Sequence, residues 1–322
     1  MGPGGSSRNG RPGSPERGGD FDGPLVAGYH TQMRENLREL WRFRELLGAM
    51  VERELRIRYK NSFLGFFWSL LNPLLTVAVM TLVFKYVLQN NTDNFAPQIL
   101  AAYLPFMFFN LSLMDSSQSV LAALPIVRKT YFPREILPLA SVLSNFIHFA
   151  LALVVFFVYL FVVWASTGFA VSPFSYRLLF LPVLMLIQLA LVMGLAFTIS
   201  ALNVFFEDVK YILGVLLYLL FFVTPIMYFS ETVYYALRAR PNGELIYQLF
   251  HLNPVAMLST AYRKVLVAPG QIEVVSQGQV TRIDPMPLNW MLFGMTAAVA
   301  MLVLVGGYAL FNRMKWRFVE RP

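Results

Sequence analysis

Residues Leu139–Trp164 read LASVLSNFIHFALALVVFFVYLFVVW, an unbroken run without one Asp, Glu, Lys or Arg. An α-helix rises about 1.5 Å per residue, so roughly 20 apolar residues cross the ~30 Å hydrocarbon core of a bilayer. This run is long enough, and five others approach it. The expected spans are Leu64–Leu88, Ile99–Leu124, Leu139–Trp164, Leu178–Leu202, Ile212–Phe229 and Trp290–Phe311. The fifth is the shortest and has the least marked start. Pro73, Pro105, Pro182 and Pro225 sit in or near the spans, where neighbouring helices or water can take up freed carbonyls. Asn72-Pro73 predicts a local break in the first helix.

Composition points the same way. Only 14% of the 322 residues are charged and 57% are hydrophobic, with a mean hydropathy of +0.56. Soluble domains average about 25% charged residues, so the polar coat of a water-soluble globule is missing. Cysteine is absent, which excludes disulfides, thiolate metal sites and cysteine nucleophiles. The net charge of +8 raises the possibility of a nucleic-acid partner, but its placement argues for topology instead. With the amino terminus inside, the inner segments hold a basic N-terminal helix, Arg128, Lys129 and Arg134, Lys210, and a tail with Arg313, Lys315, Arg317 and Arg321. The outer loops at 89–98 and 165–177 hold almost nothing basic, as the positive-inside rule requires. Lys85 is the exception, and its long stem can snorkel to the interface. Six spans return the carboxyl terminus to the inner side, and no nucleic acid is expected.

Residues 1–24 are rich in Gly, Pro, Ser and Arg and contain no apolar run, so they read as a disordered tail rather than a signal peptide. Residues 25–63 read as an amphipathic helix lying on the cytoplasmic interface or on a partner. Met33, Leu37, Leu40, Trp41, Leu47, Met50, Val51 and Leu55 recur at helical spacing, and Glu52–Arg56 and Glu54–Arg58 are ordered as i,i+4 pairs. Residues 64–322 form the transmembrane domain. Within it, the outer segment Ser230–Pro287 carries apolar patches too short to cross, suited to re-entrant or interfacial helices. A strand-like hairpin is expected near Ser276-Gln277-Gly278-Gln279.

No GxxxxGK[ST], HExxH or GxSxG pattern occurs, so no catalytic or metal-ligating set is expected in this chain. Asp115 stands in the inner half of the second span among Asn110, Ser112, Ser116, Ser117, Gln118 and Ser119. An ionisable group at that depth is a functional candidate by default, and the competing reading is a residue merely paired there. His148 reads as a packed, hydrogen-bonded residue rather than a proton relay. Arg56, Arg58 and Lys60, with Tyr59, lie at head-group depth, where a guanidinium fork can bind phosphate oxygens in pairs. Their ordinary role is to flank a span and fix its orientation, and Glu54 stands one turn before Arg58.

Three blocks then carry a family likeness. The first is RYKNSFLGFFW at 58–68, running into Leu71-Asn72-Pro73. The second is VRKTYFPRE at 127–135, framed by Pro125, Pro133 and Pro138. The third is Leu252-Asn253-Pro254 followed by Tyr262-Arg263. In order and spacing they resemble the permease subunits of ABC-2-type exporters of polysaccharides and polyol phosphates, such as O-antigen and teichoic acid, from about Leu37 onward.

The resemblance implies an all-α membrane protein of six transmembrane helices, working as a homodimer with two copies of a separate ABC ATPase that binds ATP and Mg. It implies a bacterial cytoplasmic (inner) membrane location with both termini cytoplasmic, and a lipid-linked polymer as substrate. Arg128, Lys129, Tyr131, Phe132, Arg134 and Glu135 would form a coupling helix docking on the ATPase. Asn253, Pro254, Tyr262 and Arg263 would belong to re-entrant gate helices at the outer mouth. Phe67, Trp68, Tyr211, Tyr218, Phe222 and Tyr228 are candidates for an aromatic tract that slides along sugar rings, against the ordinary role of such residues as packing or interface anchors. No cofactor is expected in the chain itself. Two rival classes remain in view. One is a membrane-embedded transferase acting through Asp115 or Glu207 and Asp208. The other is an ion-coupled carrier using Asp115 and His148, which would favour internal inverted repeats that are not evident here.

Overall fold

The computed structural model describes residues 38–59, 67–87, 92–127, 129, 132–166, 174–238, 240–276 and 279–319. The chain divides into two units, 1–42 and 43–322, and of the first only a helical turn at 38–42 is described. The expected tail at 1–24 and the start of the amphipathic helix therefore lie outside the described residues.

The second unit is built almost wholly of helices. α1 (Arg44–Tyr59) begins with Glu45 and ends with Arg56 and Arg58, charges that complement the helix dipole. Its apolar residues Leu47, Met50, Val51 and Leu55 are half-buried, and the helix packs on α4 (Ile136–Ser166). α2 (Phe67–Leu82) continues as one π-helical turn to Val87. It runs unbroken through Asn72-Pro73, which corrects the expected break. α3 (Phe95–Val127) accommodates Pro105 and Pro125, and Gln188 donates to the Pro105 carbonyl at 2.7 Å. A 3-10 turn at Tyr176–Phe180 leads into α5 (Leu181–Phe205), and α6 (Val209–Val223) follows.

Among the described residues four helical stretches are long and apolar enough to cross a membrane: Phe95–Pro125, Ile136–Ser166, Tyr176–Phe205 and Trp290–Phe318. The first and fifth expected spans appear as the shorter apolar helices Leu71–Val87 and Val209–Val223. The fifth differs most. It was expected to run from Ile212 to Phe229, yet α6 starts at Val209 and stops at Val223. The cause is Pro225: the residue before a proline is driven from helical to extended backbone, and Thr224 has ψ 134°. At 1.5 Å per residue α6 is only about 22 Å long.

Three short helices follow, α7 (Ser230–Leu237), α8 (Gly243–Leu252) and α9 (Pro254–Leu266). The expected hairpin is present as β1 (Ile272–Ser276) and β2 (Gln279–Ile283), antiparallel with Ile272 opposite Ile283. It is tied to the start of α3, since Gln271 N–H donates to Asp93 and Glu273 N–H to Thr92. α10 (Trp290–Met314) and a 3-10 turn at Lys315–Val319 complete the chain. α5 and α10 share the most extensive helix contact, and glycines set how closely they approach. A Cβ on Gly307 would lie 2.0 Å from the Gly194 carbonyl oxygen, so the two backbones touch there.

Candidate functional site

A cavity of about 340 Å³ lies between α1, α3 and α4, lined by Arg53, Glu54, Arg58, Asp115, Gln118 and Ser119 among others. Arg58 reaches into its wall from the last turn of α1. One terminal nitrogen donates to Asp115 Oδ2 at 2.5 Å and the other to Asn145 Oδ1 at 2.8 Å. Asn145 Nδ2 donates to the same Asp115 oxygen at 2.8 Å and to the Ser141 carbonyl at 3.0 Å. The local rule thus fails for Arg58, which turns from Glu54 to Asp115, while Arg56 does pair with Glu52 as expected. Arg56 is otherwise exposed, and Lys60 lies outside the described residues. His148, buried one turn beyond Asn145, completes this polar region of α4.

The segment after α3 differs from its expected form. Arg128, Thr130 and Tyr131 lie outside the described residues, and Lys129 is exposed. Phe132 to Glu135 is not helical: Phe132 and Pro133 have no regular structure, and Arg134 and Glu135 turn into α4. Arg134 and Glu135, expected on a docking surface, face inward instead. Glu135 is 2% exposed and accepts from Lys315 Nζ at 2.5 Å. Arg134 donates to the Lys315 carbonyl and lies 5.9 Å over the Phe318 ring. Phe318 is wholly buried beside Phe205 and Phe311. The reason is energetic. A carboxylate taken out of water needs a partner, and the C-terminal turn supplies one.

The aromatic candidates separate into two groups. Trp68, Tyr211, Tyr218 and Phe222 are all more than half exposed on α2 and α6, with Tyr218 and Phe222 in edge contact at 5.1 Å. Tyr228 instead folds back, donating to the Val223 carbonyl at 2.7 Å. The Phe67 side chain lies outside the described residues.

The residues expected at the outer mouth each have a defined place in the fold. Asn253 caps α9, accepting from Val255 N–H at 3.0 Å, and Pro254 occupies the first helical position, where its missing N–H costs nothing. α9 is buried on nearly every side, against α3, α5 and α10. Tyr262 meets Phe149 edge-on at 5.9 Å. Arg263 is 4% exposed and fills the gap left by the proline break. It donates to the carbonyls of Pro225 and Ile226 at 2.8 Å, Tyr228 at 3.0 Å and Gln98 at 3.2 Å, and stacks 4.6 Å from the Phe229 ring. Burial lowers its pKa to about 10, which leaves it charged at neutral pH. Beside it a cavity of about 550 Å³ is lined by Asp93, Arg177, Glu231, Thr260, Lys264 and Asp284 among others. Lys264 joins Glu231 at 2.9 Å and the Met286 carbonyl at 2.6 Å. Burial pushes the Glu231 carboxyl up, but the Lys264 charge and hydrogen bonds from Lys264 and Ser230 outweigh it, and the net shift is downward.

Asn145, Glu231, Lys264 and Lys315 are the residues that sequence reasoning passed over. Asn145 is one polar side chain in an apolar run, a visible signal. The others find partners far along the chain, which no local pattern announces. Among the described residues no three His, Asp or Glu gather as a metal site.

Residues 45–267 match the ABC-2 type transporter family. The chain belongs to that family. Its place there is that of the membrane permease, with ATP hydrolysis on a separate partner chain. Similar proteins include an O-antigen export system permease protein RfbA of Myxococcus xanthus, 32% identical over 71% of this chain and 83% of that protein. Another RfbA, of Klebsiella pneumoniae, is 27% identical over 90% of this chain and 98% of its own length. Neither likeness supports the transferase or the ion-coupled carrier.

Proposed function

We propose that this permease exports a lipid-linked polysaccharide of the O-antigen type, or a related polyol phosphate, across the bacterial cytoplasmic membrane. The observation that carries the reading is the likeness to O-antigen export permeases over most of both chains, added to the family match. Two copies of the chain work with two copies of an ABC ATPase, both termini are cytoplasmic, and α2 and α6 complete six spans where the bilayer thins to meet these shorter helices. The exposed aromatic faces of α2 and α6 meet across the two copies and offer sugar rings weak contacts that do not depend on sequence. The segment at 128–135 transmits motion from the ATPase, with Lys129 at the docking surface and Arg134 and Glu135 relaying to the C-terminal turn. α7 to α9, pinned by Arg263, fold back at the outer mouth and gate the exit. Arg56, Arg58, Lys60 and Tyr59 receive the phosphorylated head group on the inner side.

The test is cellular. Removing this chain should leave lipid-linked polymer in the inner leaflet, inaccessible to added glycosidase in intact spheroplasts. Polymer that still reaches the outer surface at normal levels would overturn the reading.

A further inference from the structure

Arg58, Asp115 and Asn145 form a closed ring that simple retention of a basic residue does not require. Asn145 bridges the ion pair, and its bond to the Ser141 carbonyl fixes the amide so that Oδ1 faces the guanidinium. The ring is not sealed away. The Arg58 and Asp115 side chains remain 30% and 38% exposed on the wall of the inner cavity. Gln118 and Ser119 stand on the same wall.

A doorway at head-group depth faces the ordinary phospholipids of the membrane, whose phosphodiesters each carry a single negative charge. A free guanidinium fork there would bind their phosphates continuously, because planar forks and phosphate oxygens match in geometry. Here the fork is already engaged by a carboxylate. We infer that Asp115 is a specificity-determining residue: it holds Arg58 closed to singly charged phosphodiesters and yields it to a lipid diphosphate. The inference rests on the export reading above and names the head-group chemistry that the doorway selects. A second negative charge and more acceptor oxygens let such a head group displace a single carboxylate. Once displaced, Asp115 keeps Asn145 Nδ2 as a donor, so it is not left unpaired. Gln118, on the same wall, has an amide that can donate to the incoming phosphate.

The test uses the full-length permease with its ATPase partner in nanodiscs of phosphatidylethanolamine, with or without phosphatidylglycerol. Farnesyl diphosphate is the lipid probe, and inorganic diphosphate separates a lipid head group from free phosphate. The native protein should bind farnesyl diphosphate with an affinity that phosphatidylglycerol leaves unchanged, and inorganic diphosphate more weakly. In Asp115→Asn, phosphatidylglycerol should weaken probe binding by about tenfold, a shift of about 1.4 kcal/mol. Asp115→Glu should keep the native discrimination, which shows that the carboxylate rather than the fold is responsible. Arg58→Lys should lose probe binding in both lipid mixtures. Equal sensitivity to phosphatidylglycerol in native protein and Asp115→Asn overturns the proposal. So does absence of probe binding by the native protein, and if ATP-driven polymer export persists in that case the export reading stands. Intact discrimination with no ATP-driven export overturns the export reading alone.

Discussion

Lys315 Nζ stands 2.5 Å from Glu135 Oε1, joining the C-terminal turn to the segment between α3 and α4. Both side chains are largely buried, so breaking the pair leaves an uncompensated charge, at a cost of about 3–5 kcal/mol. Glu135→Gln or Lys315→Met alone should therefore lower the thermal unfolding temperature markedly in detergent. The double variant Glu135→Leu, Lys315→Met should recover most of it, since apolar replacement of a buried pair is often neutral. Single variants as stable as the native protein would show that the pair is not formed.

The helix pair α5 and α10 gives an internally controlled prediction. At Gly307 an added methyl meets the Gly194 carbonyl, and at Gly194 it meets Val303 O at 2.4 Å. Both obstacles are backbone, so Gly194→Ala and Gly307→Ala should each destabilise by about 1–3 kcal/mol or more. Gly306 has open space around its position, and Gly306→Ala should be neutral or stabilising by up to about 1 kcal/mol. Equal effects at 306 and 307 in thermal unfolding would contradict this helix contact.

Arg263→Lys tests the outer anchor. Lysine keeps the charge but cannot reach four carbonyls at once with a planar fork. Amide hydrogen exchange at 226–229 should quicken by about tenfold or more, from the loss of hydrogen bonds to a charged group worth about 1.5–3 kcal/mol. Unchanged exchange would mean that the break after α6 holds without Arg263.

These sites show where the sequence was readable and where it was not. Leu139–Trp164 was legible because hydropathy alone marks a span, and α4 contains it with three residues added before and two after. The end of α6 was not, because the residues after Pro225 remain apolar while Arg263, 38 residues beyond Pro225, takes up that carbonyl. Arg58 was misjudged for a related reason. The i,i+4 rule offers Glu54, yet Asp115 lies 57 residues away and wins through Asn145. Glu135 looked like a surface charge in a short loop until Lys315, 180 residues later, claimed it. Asn253-Pro254, by contrast, forms its cap within two residues, although the sequence alone places it only in a gate segment.

The Glu231–Lys264 pair predicts a pH effect with a definite sign. The Glu231 pKa is depressed in the folded protein, so the unfolded chain binds its proton first as pH falls. The stability it contributes is complete above the ordinary carboxyl range near pH 4.5 and is lost as pH falls through the lower folded value. Glu231→Gln should therefore be less stable than native at pH 7, and the gap should narrow toward pH 3. A gap that stays constant over that range in unfolding temperature would contradict the buried ion pair.

The central claim is tested most directly by transport in a defined system. Permease and ATPase partner are placed in proteoliposomes with their nucleotide-binding face outward, and a fluorescent lipid-linked polysaccharide is added to the outer leaflet. Appearance of the polymer in the lumen should require ATP and the partner, and should stop with a hydrolysis-defective ATPase. Transport driven by a proton or sodium gradient with the permease alone, or no transport of the polymer under any condition, would contradict it.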